Sequence, residues 1–240
     1  MSCALAERHA GQDLIKWIAL FTMVLDHMRL AWPFTGDLFV LGRLSFPLFC
    51  VALAVNVSRN QPGDLFNRSN GRYLALLVFF AFLSEVPYRL VGTSGTFNVL
   101  VTLALGLLVA WGVHHRTLAS LVLAVGAIAG GYLLSEPLMF GFVGILVPAA
   151  LLLALKRPEF FALLPVVLCV MINTRTGLFE RAVQLEPFAI VALTIAALAP
   201  LLGLALFWSR LPFNVLPVTK WSYWFYPGHL VALLAIRNLV

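Results

Sequence analysis

The composition of the 240-residue chain is that of a membrane protein: 62% of the residues are hydrophobic, 11% are charged, and the mean hydropathy is +0.97. Soluble globular domains contain about 45–50% apolar residues, so their class is excluded. The net charge of +6 comes from basic residues that lie singly between apolar runs, which indicates topology signals rather than a nucleic-acid surface. Cys3, Cys50 and Cys169 are far apart, so neither a disulfide framework nor a metal site is expected.

Successive apolar runs predict that the chain crosses the bilayer repeatedly. The spanning segments must be helices, because an open sheet would leave backbone groups unpaired in lipid. We therefore expect an all-α, polytopic helical membrane protein, with residues 1–240 forming one domain and no cleavable signal peptide. The sequence predicts about nine transmembrane helices, over residues 14–34, 38–57, 72–91, 97–114, 117–134, 137–155, 159–173, 187–208 and 218–238.

The basic residues between these segments fall in alternate loops, which predicts that those loops are cytoplasmic. The N-terminus is then inside and the C-terminus outside. His114 and His115 belong to one of the cytoplasmic loops, where we expect them to be solvated. The loops predicted to face the cytoplasm contain Arg59, Arg68, Arg72, Arg116, Lys156, Arg157, Arg210 and Lys220.

The first predicted span carries Asp26, His27 and Arg29 deep in an otherwise apolar run. Ionisable residues inside a membrane span are costly and by default mark function, a charged partner or water. Further polar residues lie toward the same outer end of the next three spans. We expect this group to converge on one solvated pocket beneath the outer face; its other members are Arg43, Ser84, Glu85, Arg89, Asn98 and Thr102.

Two prolines lie beside charged members of this group. Pro47 cannot donate to the carbonyl of Arg43, so the helix is predicted to loosen there. Pro87 follows Glu85 and is predicted to end or kink its helix near Ser84. Such breaks are typical of backbone that lines a wet cavity rather than lipid.

One face of the first span connects its cytoplasmic end to His27. Lys16, Met23 and His27 share this face, because 11 residues make almost three turns. The face could form a groove for a long, thin cofactor arm such as pantetheine. An imidazole can take and return a proton at neutral pH, and a neighbouring carboxylate can fix its tautomer. Either Asp26 or Glu85 could do so; alternatively, Asp26 and His27 form a polar cluster with Arg43 that serves only helix packing.

The last span contains a second buried histidine. His229 follows Pro227 and Gly228, which free the backbone near Tyr226. Two interpretations remain open: His229 lines the cavity as a second base or donor, or it is a core histidine bonded to a neighbouring helix.

Five ordered blocks resemble the TraX family, the F-pilin acetylases of bacterial inner membranes. The resemblance covers both ends of the chain, whereas residues 115–215 agree only in hydrophobic character. The blocks are IKWIALFTMVLDH at 15–27, GRLSFPLF at 42–49, RYLALLVFFAFLSEVPYRL at 72–90, FNVLVTLALGLL at 97–108 and WFYPGHLVALLAIR at 224–237.

The resemblance implies a multi-pass inner-membrane enzyme that transfers acetyl from cytoplasmic acetyl-CoA to an amine or hydroxyl at the outer leaflet or periplasm. The acceptor would be a pilin-like N-terminus or another envelope component, and the bilayer is the other expected partner; no nucleic acid or metal is expected, and the oligomeric state is open. The chain is more distantly similar to transmembrane acyltransferases that use an embedded histidine, a role that maps to His27.

In that mechanism His27 acts as general base or briefly carries the acetyl group, and Asp26 or Glu85 orients it. Arg43, assisted by Asn98, would stabilise the developing oxyanion. The residues expected beside the acetyl-CoA donor are Lys16, Asn98, Thr102, Tyr226 and His229.

Two functions from other classes explain the same pattern. A proton-coupled small-molecule transporter could use the ionisable residues as a proton relay, although no repeated halves are visible. A non-catalytic assembly factor for conjugation or secretion would use them only for packing.

Overall fold

The computed structural model describes residues 10–92 and 95–239, and the regular elements in these ranges are helices. Short 3-10 helices cover Pro33–Leu38 and Thr174–Thr176. The α-helices are α1 Ala10–Ala31, α2 Phe39–Gly42, α3 Ser45–Ser58, α4 Arg68–Val91, α5 Val99–His115, α6 Leu118–Leu133, α7 Gly141–Lys156, α8 Pro158–Phe161, α9 Leu163–Met171, α10 Leu178–Val183, α11 Pro187–Trp208 and α12 Trp221–Arg237.

Each of the nine predicted spans coincides with a helix or with consecutive short helices, and the chain is a polytopic helical membrane protein. Four helical segments are long and apolar enough to cross a bilayer: Phe34–Ser58, Arg68–Val91, Pro158–Thr176 and Pro187–Trp208. The helices α5, α6 and α7 are shorter but apolar. The helices α1 and α12 belong to neither group. The helix α1 contains four charged residues, and α12 is 17 residues long.

The helix α3 lies at the centre of the helix bundle. It is apolar on all sides and buried over most of its length. A helix without a polar face is typical of a core position. It packs against α1, α5, α7 and α11. Gly203 of α11 permits one of these contacts, because a Cβ there would lie 2.7 Å from the side chain of Val51. Close approach through small residues is a common way to pack membrane helices.

The predicted loosening at Arg43 is confirmed. The helix α2 ends at Gly42 and α3 begins at Ser45, so the regular α-helix is interrupted at Arg43 and Leu44, just before the proline at position 47. The other proline prediction was wrong in part, because α4 does not end at Ser84 but continues past Pro87 to Val91.

The loops separate into two groups, as the alternation of basic residues predicts. At one end, Lys156 Nζ lies 3.1 Å from His114 Nδ1, and Trp17 Nε1 donates to the Leu216 carbonyl. At the other end, Arg175 donates to the Ser135 carbonyl. Loops and helix ends that are predicted to lie on the same side of the membrane therefore contact each other. Which of the two sides faces the cytoplasm stays a prediction.

Candidate active site

A cavity of about 490 Å³ lies between α1, the α2–α3 break, α12 and the loops at the predicted outer end. We call it the outer cavity. Its polar lining includes Asp26, His27, Arg29, Arg43 and Arg175. The first span and the start of the second therefore meet in one space, as the sequence predicts.

His27 and His229 form a buried, hydrogen-bonded pair. His27 Nδ1 lies 2.7 Å from His229 Nε2, and the two rings are nearly parallel at an interplanar angle of 6°. Each residue is only 8% exposed. The two residues are 202 positions apart in the chain, so the packing of α12 against α1 creates the pair.

The partner of His229 determines the protonation of both rings. His229 Nδ1 lies 3.0 Å from the carbonyl oxygen of Phe225, which can only accept, so Nδ1 must carry a proton. In a neutral imidazole the other nitrogen is then an acceptor, and His27 Nδ1 donates to it. His27 Nε2 keeps its lone pair, and no hydrogen bond to it is formed within residues 10–92 and 95–239.

Arg43 and Asp26 form the charged part of the outer cavity. Arg43 Nη1 donates to Asn173 Oδ1 at 3.1 Å, and Arg43 Nη2 lies 4.0 Å from Asp26 Oδ1. Asp26 is bound more closely by Arg29 Nε, at 3.1 Å. Gly42 makes this arrangement possible, because a Cβ at that position would lie 2.5 Å from the Asp26 side chain.

The guanidinium of Arg43 is not fully paired. Its side chain is 10% exposed, and its Nε is buried without a hydrogen-bond partner in the part of the chain that the structure describes. The planar group packs over the Phe39 ring, with Cζ 4.0 Å from the ring centroid. This contact fixes the position of the charge beside the cavity.

A second cavity, of about 190 Å³, adjoins the first on the predicted cytoplasmic side. We call it the inner cavity. It is lined by Lys16, Leu20 and Met23 of α1, on the face that the sequence predicts to carry a groove. Four residues line both cavities and therefore mark their junction: Met23, Phe49, Val99 and Tyr226.

Glu85 and Asn98 do not line either cavity, contrary to the predicted convergence. Glu85 binds Arg89 Nε at 2.7 Å and the Asn98 side-chain amide, also at 2.7 Å. Asn98 is fully buried and caps α5 by accepting from the Leu100 backbone N–H. The proposals that Glu85 orients His27 and that Asn98 assists Arg43 therefore have no geometric basis: both side chains instead join α4 to the start of α5.

The predicted donor-side residues have different positions. Thr102 lies outside both cavities, because its methyl group packs against Gly144 of α7. Lys16 lines the inner cavity but also contacts the Val218 carbonyl at 3.4 Å and Asp13 at 3.7 Å. Tyr226 lines both cavities, whereas His229 lines neither and is reached through His27.

Sequence reasoning missed three residues that line or support the outer cavity. Asn173 holds Arg43 and is itself fixed by a 2.8 Å hydrogen bond to the Cys169 carbonyl. Arg175 and Phe39 line the cavity directly. Asn173 follows the apolar helix α9, so a buried amide at the end of an apolar run was the available signal.

This arrangement can perform proton transfer beside a fixed positive charge. His27 Nε2 can accept a proton, His229 holds the ring in one tautomer, and the Arg43 guanidinium is available to a developing anion in a largely buried space. Among the described residues, no group of three or more His, Cys, Asp or Glu side chains could hold a metal ion.

Comparisons with known proteins identify the family of this chain. A family model described as TraX protein matches residues 11–237. A 50-residue segment is 42% identical to Protein TraX of Escherichia coli, and this segment covers 20% of each chain. No solved structure matches the chain. Because the family match extends over nearly all of the sequence, the chain belongs to the TraX family.

Proposed function

We propose that this protein is an acetyltransferase that moves acetyl from cytoplasmic acetyl-CoA to an acceptor at the outer face of the bacterial inner membrane. The observation that carries the proposal is the His27–His229 pair, which leaves His27 Nε2 able to accept a proton next to the outer cavity. Family membership and the likeness to Protein TraX support an acceptor in pilus assembly, most directly the N-terminal amine of a pilin-like protein.

The inner cavity supports entry of the donor from the Lys16 end of α1. Its lining is mostly apolar, with Leu20, Met23 and Leu103 among the contributing residues. A pantetheine arm is long and thin, and the junction at Met23 and Tyr226 would bring its thioester to the outer cavity. Lys16 is among the residues that line this cavity, and its cation would favour the phosphates of CoA.

The chemical step needs one base and one fixed cation. His27 Nε2 takes the proton of the acceptor amine as its nitrogen attacks the thioester carbonyl, and Arg43 stabilises the oxyanion that forms. The carbon–sulfur bond then breaks, and the CoA thiolate leaves with the proton that His27 returns. His229 accepts the hydrogen bond from His27 Nδ1, so that Nδ1 keeps its proton and Nε2 is the nitrogen that takes and returns the proton of the amine.

The test is acetyl transfer by the purified full chain in proteoliposomes. Isotope-labelled acetyl-CoA is supplied on one side only, and a peptide with a free N-terminal amine on the other. We expect label on the peptide amine for the wild type and a loss of roughly 10²–10⁴ in rate for His27→Ala, the range of a general base. Transport of a small molecule without acetylation, or wild-type transfer by His27→Ala, would reject the proposal.

The same preparation distinguishes direct transfer from a two-step route. An acetyl-histidine intermediate would appear as label on the protein when acetyl-CoA is present and the peptide is withheld. Acetyl on the His27 imidazole, located by mass spectrometry and absent in His27→Ala, would assign the two-step route. Label that appears only on the peptide would assign His27 as a general base.

A further inference from the structure

The outer cavity continues into a third cavity that is rich in arginine. This mouth cavity, of about 400 Å³, shares Arg29, Phe39 and Thr176 with the outer cavity and adds Leu178, Arg181 and Phe188. The shared residues place the two cavities in series. A ligand that reaches His27 through the mouth cavity must therefore pass the guanidinium groups.

The two cavities contain more positive than negative charge. Four arginines line them, and Asp26 is the one carboxylate among their described lining residues. Arg29 is bound to Asp26 at 3.1 Å. Arg175 and Arg181 are paired with Glu136 and Glu186, two carboxylates that do not line the cavities, and Arg43 lies 4.0 Å from Asp26. The formal charge of the lining itself is positive, and it attracts an anion most strongly where the surroundings are poor in water.

Phenylalanine rings hold Arg29, Arg43 and Arg181 in a row. Arg29 and Arg43 pack over Phe39, with Cζ at 5.2 and 4.0 Å from its centroid. Phe39 stacks on Phe188 at a centroid distance of 6.1 Å, and Arg181 lies 5.3 Å above Phe188. The row leads from the buried Arg43, whose Nε has no hydrogen-bond partner among the described residues, to the exposed Arg181.

We propose that the acceptor is an acidic peptide: its N-terminal amine reaches His27, while an Asp or Glu carboxylate a few residues further along binds between Arg29 and Arg181. This inference rests on the proposed acetyl transfer and specifies its acceptor. Two cavities in series suit an extended chain better than a compact headgroup. The surrounding guanidiniums also disfavour a protonated amine, and thus favour the neutral form that attacks the thioester.

Substitutions at the exposed pair of Arg181 and Glu186 should have opposite effects, and this inference can be tested with them. Arg181 donates to the Glu186 carboxylate, and Glu186 is not among the residues that line the mouth cavity. Arg181→Gln removes a cation from the row, whereas Glu186→Gln leaves that cation without its carboxylate partner. The two variants should therefore change the preference for an acidic peptide in opposite directions.

The experiment uses two peptides of equal length that differ by Asp against Asn near the amine. We expect the full chain in nanodiscs to acetylate the Asp peptide with the higher kcat/KM. The Asp-to-Asn ratio should fall about two- to fivefold in Arg181→Gln, the size of one exposed charge pair, and rise in Glu186→Gln. Arg210→Gln is the matched control, because this exposed arginine is in the loop before α12; it should leave the ratio unchanged.

A binding measurement separates failure of the inference from failure of the proposed function. Fluorescence anisotropy of labelled Asp and Asn peptides on His27→Gln protein needs no acetyl transfer. Tighter binding of the Asp peptide, lost at high salt as the ions are screened, would support the acidic acceptor even if no peptide were acetylated. Equal binding and equal kcat/KM of the two peptides would overturn it, as would acetylation of a phosphorylated amino sugar in preference to both.

Discussion

Two histidine pairs lie near opposite ends of α5, and their surroundings differ. Val99, at the start of α5, lines the cavity that contains His27, whereas His114 and His115 end the helix; a 17-residue helix is about 25 Å long. In the His27–His229 pair, His27 Nε2 forms no hydrogen bond with any residue that the structure describes. At the other end, His114 binds the Asn60 carbonyl at 2.9 Å and Lys156 at 3.1 Å.

The difference shows why burial alone does not identify a catalytic histidine. His114 and His115 are each 4% exposed, and are thus more buried than His27 and His229 at 8%. Both nitrogens of His114 are occupied, and neither His114 nor His115 lines any of the three cavities. An imidazole with both nitrogens bound fixes a fold; one that keeps a lone pair beside a cavity can take a proton.

The largest difference is expected when the same substitution is made in each of the two histidine pairs. His27→Gln should lower the rate of acetyl transfer by roughly 10²–10⁴, because the base is lost, while the protein keeps its thermal stability within a few degrees. His114→Gln should leave transfer near the wild-type rate and lower thermal stability instead. Loss of transfer in both variants at equal stability would contradict the assignment of different roles.

A smaller effect is expected from His229, which positions His27 and contacts no substrate. His229→Leu should lower kcat by about 10- to 100-fold, as removal of a group that orients a functional imidazole does at metal sites. The KM for acetyl-CoA should stay the same, because His229 lines neither the inner nor the outer cavity.

The conservative variant His229→Gln sharpens this test. Its amide oxygen can still accept from His27 Nδ1, so part of kcat should return relative to His229→Leu. A similar loss in both variants, or a change in KM as large as that in kcat, would show that His229 acts through packing or donor binding instead.

Substitutions near His114 and His115, at the other end of α5, should change the stability of the protein rather than the rate of acetyl transfer. Asn70 is 1% exposed and connects Asn60, the Leu65 carbonyl and His115. Asn70→Ala would leave several buried groups unpaired and should cost about 1–3 kcal/mol, measured by thermal unfolding in detergent. Asn238→Ala, at an exposed position just after α12, is the matched control. Unchanged stability in Asn70→Ala would show that this network does not fix the loop.

The sequence predicts the helices and the part of the outer cavity that the first two spans form. Both predictions depend only on where a residue lies along its own span. The apolar runs coincide with helices, and Arg43 lies at the break that Pro47 predicts. Asp26 and His27 face the same cavity as Arg43 because the connection between the first two spans is short. These predictions do not depend on how distant helices are rotated about their axes.

Apart from the end of α4, which lies at Val91 and not near Ser84, the errors concern contacts between different elements. Glu85 is at the predicted depth, but the rotation of α4 directs it to Asn98. The sequence places His229 within the last span and leaves two interpretations open, but it cannot show that His229 meets His27, since hydropathy contains no information on the register of α12 against α1. The expectation that His114 and His115 are solvated was wrong, because Asn60 in the loop before α4 binds His114 and Asn70 in the first turn of α4 contacts His115.

The smallest effect is expected from Arg181 and Glu186, an exposed pair that gives a baseline for the buried ones. The hydrogen bond from Arg181 holds the pKa of the Glu186 carboxyl below its ordinary value. A lowered pKa in the folded state means that the pair stabilises the protein above the ordinary pKa of the carboxyl, and that this contribution disappears as the pH falls through the lowered value. The difference in thermal stability between wild type and Glu186→Gln should therefore be small near pH 7 and vanish under acidic conditions. The side chains of Arg181 and Glu186 are 44% and 39% exposed, so water and salt screen the attraction between them. A difference that instead grew on acidification would contradict this sign and would mean that another carboxylate responds to the substitution.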